Sequence, residues 1–394
     1  MINLDHNATT PLDPRVRTAM VDHLARSDHF GNASSVHRSG REARRILESA
    51  RRKVAAAVGA EALGVTFTAG GSEADTLAIV GVCTALRAAG RPCGVLTSRL
   101  EHAAVTASAR RLECAGHRVV FVEADRAGRI EFAAVVCALE RYGDIGLVSL
   151  ASANHELGNA YDIQDLVGRV RATRHEVWVH TDAVQAFGKV ELNFAGWDVD
   201  LMSLSAHKIG GPSGVGALIH RREVDLTPQV CGGGQERGRR PGTENLLGIH
   251  GFGVAAELAG TQWHARRAHM DLLRDRLRVG LADRFPDQVV FVGDPEAHVG
   301  NTVCAMFPGC SGEMLMINLD LSGIAVSTGS ACTVGRVEPS STMLAMGYDE
   351  TAARAVLRFS VGVGNCVEDI DRLLEALPGI VRRVREAGSE GRPA

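Results

Sequence analysis

Seven short apolar, β-rich runs punctuate the first 220 residues: 65-VTFTA-69, 94-GVLTS-98, 118-RVVFVEA-124, 145-IGLVSLASA-153, 177-VWVHTD-182, 200-DLMSLSAH-207 and 215-VGALIH-220. Between several of them, over 73–89, 101–115 and 130–141, apolar residues recur at helical spacing. Strands that are apolar on both faces and alternate with helices predict an α/β fold. Its sheet should be mostly parallel and covered on both sides. The last two runs share a short connection, which admits one antiparallel pair. Beyond about residue 250 the pattern changes. A helical stretch over 251–284 leads into 301-NTVCAMF-307, 323-GIAVSTG-329 and 354-RAVLRFS-360, a smaller α+β unit. The polar end, 387-AGSEGRPA-394, reads as a frayed tail.

Composition narrows the classes. The chain has 394 residues, with 45% apolar and 23% charged, enough for a large core and two domains. A net charge of −3 provides no basic field for nucleic acid. The longest apolar stretch, 77-LAIVGVCTALRAAG-90, is too short and interrupted to span a membrane and reads as a core helix. Residues 1–20 hold no apolar signal core. Nine cysteines occur without a CxxC pair or zinc spacing, so no metal is expected. The odd count fits reduced thiols in a cytoplasm. Cys83, Cys93, Cys114, Cys137, Cys231 and Cys304 are expected to be small buried hydrophobes.

Polar groups cluster where strands end. Ligands of open α/β sheets sit beyond the carboxyl ends of strands, and 70-GGSE-73, His102, 182-DAVQ-185 and 205-SAHK-208 all fall there. Gly70, Gly71 and Ser72 make a turn whose N–H groups suit a phosphate, or a plain turn. Asp182 ends an apolar run, so it caps a helix or meets a cation such as a pyridinium nitrogen. Lys208 is a solvated surface lysine or a Schiff-base lysine at the sheet mouth. A phosphate cradle, an Asp and a Lys in that order match pyridoxal 5'-phosphate, whose ring stores charge as an electron sink.

Longer motifs make the match specific: 3-NLDHNATTPLDPRV-16, FGNASSVHRSGREAR (30–44), FTAGGSEAD (67–75), HTDAVQAFGK (180–189), SLSAHKIGGPSGVGAL (203–218), GGGQERGRRPGTEN (232–245) and STGSACT (327–333). Through them the chain resembles cysteine desulfurases of the NifS/IscS type, aminotransferase-like pyridoxal phosphate enzymes of fold-type I. The resemblance implies a large domain over 14–255, and a small one from 1–13 and 256–394 that carries a catalytic cysteine loop. It implies that Lys208 bonds the cofactor, Asp182 meets the pyridinium nitrogen and Gln185 the phenolic oxygen. His102 would stack on the ring and move protons. Gly71, Ser72, Ser205 and His207 would hold the phosphate. Thr243 would reach that phosphate from the partner of a homodimer. Arg358 would bind the carboxylate of L-cysteine, a bidentate task suited to Arg. Cys332 would take the sulfur as a persulfide and pass it to an acceptor protein.

Two positions depart from the pattern. His155 stands where the resemblance expects an Asn that touches the cofactor oxygen and the substrate carboxylate. Thr76 stands where it expects an Asn after Asp75. An imidazole titrates near pH 6.5, so His155 is expected either to become a cation in the physiological range or to stand in for the amide as a neutral group with no pH role. Rival readings are a lyase or aminotransferase that ignores Cys332, a selenocysteine lyase, and a scaffold protein of a sulfur-transfer complex. The acceptor is open: iron–sulfur cluster assembly, tRNA thiolation, DNA sulfur modification or a thio-metabolite.

Overall fold

The structure is a computed structural model and describes residues 1–26, 31–328 and 338–390. In chain order the first elements are β1 (Ile2–Asn3), α1 (Pro14–Ala25), α2 (Arg38–Ala57), β2 (Val65–Thr68), α3 (Gly71–Thr76) and α4 (Val82–Ala88). There follow β3 (Gly94–Ser98), α5 (Ala103–Cys114), β4 (Val119–Val122), α6 (Phe132–Arg141), β5 (Ile145–Ser149), α7 (Ile163–Thr173), β6 (Trp178–Asp182), β7 (Leu201–Ser205) and β8 (Gly216–His220). The remainder holds α8 (Leu246–Arg284), β9 (Val290–Val292), β10 (Thr302–Met306), α9 (Gly312–Leu321), β11 (Ile324–Ala325), α10 (Ser341–Ala345), α11 (Glu350–Arg354), β12 (Val356–Ser360) and α12 (Val367–Glu390).

All seven expected strands form one sheet in the order β2-β8-β7-β6-β5-β3-β4. Its central pairings are parallel. Only β8 runs against its neighbours, β2 and β7, the antiparallel pairing that the short 206–214 connection allows. Every residue of β3, β5, β7 and β8 is buried, because helices cover both faces. One face packs on α2, α6, α7 and α8. The other packs on α5 and on the run from α3 to α4, which passes through a π-helical turn at Leu77–Gly81.

A second sheet, β12-β10-β9, and the pair β1-β11 build a separate core with α9, α12 and the distal half of α8. One 39-residue helix, α8, therefore serves both cores. It lies close on α2 because small residues face each other at seven-residue spacing. A Cβ on Gly253 would stand 2.8 Å from the Ala50 Cβ, and one on Gly260 would stand 2.9 Å from the Ala57 Cβ.

Two expectations are corrected. α12 continues to Glu390, so the helix extends past residue 387, where the tail was expected to begin; residues 391–394 lie outside the described residues. Cys83 and Cys304 are buried, but Cys93 is half-buried and Cys114, Cys137 and Cys231 are exposed. Cys137 falls between Val135 and Leu139, which form the buried face of α6, and so points off that face. Cys114 ends its helix, and Cys231 lies in the Gly-rich loop.

That loop is anchored by a buried ion pair. Arg51 of α2 donates to both Glu236 oxygens at 2.7 Å and to the Val65 carbonyl at 2.8 Å. Glu236 also accepts from the Phe67 N–H at 2.9 Å. Glu236, Arg237 and Gly238 are consecutive left-handed residues, with φ of 47°, 59° and 79°. That conformation is unfavourable for the two side-chain-bearing residues. Removing one member of a buried pair strands the other's charge. Arg51→Met and Glu236→Gln should each therefore lower unfolding stability by about 3 kcal/mol. The Arg51→Met/Glu236→Gln double variant should lose less than the sum of the two single variants. Urea-unfolding midpoints test this; additive losses would show that the two side chains act independently.

Candidate active site

The carboxyl ends of β2, β3, β5, β6 and β7 share one edge, since these strands run parallel. There a cavity of about 260 Å³ is lined by Gly71, Ser72, Asp75, His102, His155, Asp182, Gln185, Ser205, His207 and Lys208, among others. Residues far apart in sequence thus meet because the sheet brings their strand ends together. A second hollow shares Gly71, Ser72, Ser205 and His207 with it.

Each side chain is set by its element. Lys208 ends a short turn after β7, and its Nζ donates to the carbonyls of Asn7 at 2.5 Å and Ala8 at 2.7 Å. Burial and then Arg358 lower its pKa to about 8, against the pull of Asp182. Asp182 closes β6, and its Oδ1 accepts from the Val184 N–H at 2.8 Å. Burial raises its pKa, opposed by His102 and Lys208.

His102 caps α5, its Nδ1 accepting from the Ala104 N–H at 3.1 Å. In the neutral ring its proton therefore sits on Nε2. Desolvation lowers the pKa of that ring, against the pull of Asp182. The His155 ring meets it edge-on, with centroids 5.3 Å apart and an interplanar angle of 80°. Arg358 stands behind His155. It is 5% exposed and donates to the His155 carbonyl at 3.0 Å and to Asp5 at 2.6 Å, while its Nε is buried without a partner.

Residues 2–373 match the family model of the class-V aminotransferases. The chain belongs to that family, on its cysteine desulfurase branch. A cysteine desulfurase of Cereibacter sphaeroides is 44% identical over 386 residues, covering 98% of this chain and 96% of that protein. An IscS-like cysteine desulfurase of Mycobacterium tuberculosis is 40% identical over 389 residues, covering 98% of each chain. The solved structure of a NifS-like protein superposes with a TM-score of 0.89 at 32% identity, covering 97% of this chain and 99% of that one.

The residues fit pyridoxal phosphate, the cofactor that class-V membership implies. Ser205 Oγ is buried without a hydrogen-bond partner beside Gly71, Ser72 and His207. A hydroxyl in that condition is costly unless a ligand oxygen meets it. Gly71 keeps the cradle open and close-packed: a Cβ there would lie 2.8 Å from Val184 Cγ2. Asp182 is buried near two further carboxyls, Asp75 and Glu101, both pushed up by burial and by Asp182; Glu101 reaches about 8. A cationic ring nitrogen is what this acidic floor lacks.

Sequence reasoning missed Asp5, Asn7, Asp75, Glu101 and Lys189 as parts of this site. Four of the five fall inside motifs quoted for the resemblance, but no chemistry had been attached to them. One named residue stands elsewhere. Thr243 lines a neighbouring hollow of about 170 Å³ with Phe67, Glu236 and Arg240, not the cradle. Cys332 lies outside the described residues.

The expectation that His155 titrates near pH 6.5 is corrected. Although 22% of its side chain is exposed, desolvation holds its pKa well below that value, and His102, Arg358 and Lys208 add positive surroundings. A group with a depressed histidine pKa binds fewer protons folded than unfolded, so it costs stability as pH falls below about 6.5. In cofactor-free protein the unfolding free energy of His155→Asn should rise relative to wild type between about pH 7 and pH 5. Urea unfolding at each pH checks this; parallel curves would mean that His155 protonates freely in the fold.

Proposed function

We propose that this protein converts L-cysteine to L-alanine, with Lys208 holding pyridoxal phosphate and Cys332 receiving the sulfur as a persulfide. What supports this reading is the convergence of Lys208, Asp182, His102, Gln185 and Ser205 on one cavity at the carboxyl edge of the sheet. When bound, the cofactor supplies an electron sink for charge developed at the substrate Cα. The chain's own residues do the rest. Asp182 offsets a positive ring nitrogen, and Gln185 presents its amide to the phenolic oxygen. Ser72, Ser205, His207 and the N–H groups at Gly71 hold the phosphate.

Lys208 is suited to move the Cα proton, because a pKa near 8 leaves a usable fraction of free amine. His102, neutral with its proton on Nε2, can donate at the ring face. Arg358 has an unpartnered Nε, and it binds the substrate carboxylate with His155 in front of it. The Cys332 thiolate attacks the substrate sulfur; the S–S bond forms as the Cβ–S bond breaks, the electron pair of the broken bond stays with Cβ, and Cβ takes a proton, leaving alanine and a persulfide. The protein works as a homodimer, in which Thr243 serves the partner's phosphate site. An acceptor protein then collects the persulfide sulfur.

Cys332→Ala should retain the visible absorption of bound cofactor, while alanine release from L-cysteine falls by about 100-fold or more. Absorbance together with an alanine assay tests this. Near-normal alanine release would remove Cys332 from the reaction.

A further inference from the structure

Lys189 closes the 180-HTDAVQAFGK-189 motif, and no step above uses it. It is 5% exposed. Its Nζ lies 2.8 Å from Gln185 Oε1 and 3.2 Å from Asn7 Oδ1. Among the described residues no ion pair joins it to a carboxylate. The titratable groups that act on it or feel it are Lys208, Arg358 and His6, none of them acidic. A lysine amine buried among such neighbours costs stability, and a methionine would fill the same volume without that cost. Its retention there is explained by its two acceptors, both of them amide oxygens.

An amide whose oxygen is pinned must point its NH₂ the other way. Gln185 Nε2 accordingly reaches the Asn7 carbonyl at 2.9 Å, the oxygen that also accepts from Lys208 Nζ. Gln185 thus shows its donor on the Lys208 side of the cavity that both residues line. Asn7 obeys the same constraint. Its Nδ2 turns to Thr302 Oγ1 at 2.8 Å and to the His155 carbonyl at 3.2 Å.

We propose that Lys189 is a positioning residue for the cofactor: it locks the Gln185 amide with its N–H, not its carbonyl, toward the phenolic oxygen. The inference rests on the reading above, in which Gln185 meets that oxygen. Without the lock the amide can turn, and a carbonyl would then oppose an anionic oxygen. A donor favours the deprotonated form of the bound chromophore, so losing it makes the chromophore harder to deprotonate.

The test is a pH titration of the visible cofactor band in the holoenzyme. Lys189→Met should raise the apparent pKa of the band by about one pH unit. Gln185→Ala should raise it similarly, and adding Lys189→Met to Gln185→Ala should shift it no further. Lys189→Gln keeps an N–H for Gln185 Oε1 and should restore the wild-type value. His102, His155 and Asp182 face the same cavity and are unchanged in every variant. Superimposable titrations of wild type and Lys189→Met overturn the proposal. So does a full shift in the Gln185→Ala background, which would mean that Lys189 acts through space by its charge. A Lys189→Gln variant that behaves like Lys189→Met also counts against it. Wild-type protein that binds no pyridoxal phosphate overturns the underlying reading as well, and that failure is told apart by the missing band.

Discussion

Asn7 uses every hydrogen-bonding group it has, and the site depends on it. Its N–H donates to Ser360 Oγ at 2.9 Å, and its carbonyl accepts from both Lys208 and Gln185. Its side-chain oxygen accepts from Lys189 and from Asn301, while its NH₂ serves Thr302 and the His155 carbonyl. Ser360, Asn301 and Thr302 belong to the smaller sheet and its flank; Gln185, Lys189 and Lys208 follow strands β6 and β7 of the large one. A buried amide bonded in every direction cannot move without leaving several polar groups unpaired, each at a cost of about 1–3 kcal/mol. Two steps upstream, Asp5 holds Arg358. Residues 5–8 therefore fix Lys208 and Arg358 relative to one another across two separate cores.

The same edge gathers charges that burial suppresses. Lys208 and Lys189 are pushed down, and Asp75, Glu101 and Asp182 are pushed up. Each shift has desolvation as its first cause, so the protein alone favours neutral forms here. A ligand that carries both an anionic phosphate and a cationic ring would supply counter-charges to these groups. Groups with pKa values brought toward neutrality follow from that incomplete pairing.

The fold was largely legible because its signal is local. Apolar runs bounded by polar turns mark all seven strands of the large sheet, and the residues at their ends mark the site. What escaped the sequence depends on packing. The thiols of Cys114 and Cys137 were assigned by residue type, yet the helix face decides exposure, and both fall on the wrong side. Asp75, Glu101 and Lys189 gain their meaning from neighbours 50 to 180 residues distant. The break at Leu77–Gly81 left no trace in the apolar pattern, because a π turn shifts the hydrogen bonds by one residue while the whole segment stays buried.

His155 shows how a fixed site tolerates a changed side chain. Position 155 is tied in by its backbone: its carbonyl accepts from Asn7 Nδ2 at 3.2 Å and from Arg358 Nη1 at 3.0 Å. Neither bond depends on what the side chain is, so replacing an amide by an imidazole need not move Arg358 or Asn7. The side chain is then free to vary so long as it stays neutral and offers an N–H, and desolvation enforces the first condition. An imidazole reaches further than the amide and meets the His102 ring edge-on. A change of side chain at position 155 therefore leaves Asn7 and Arg358 in place. What it changes is the ring that the His102 imidazole meets edge-on.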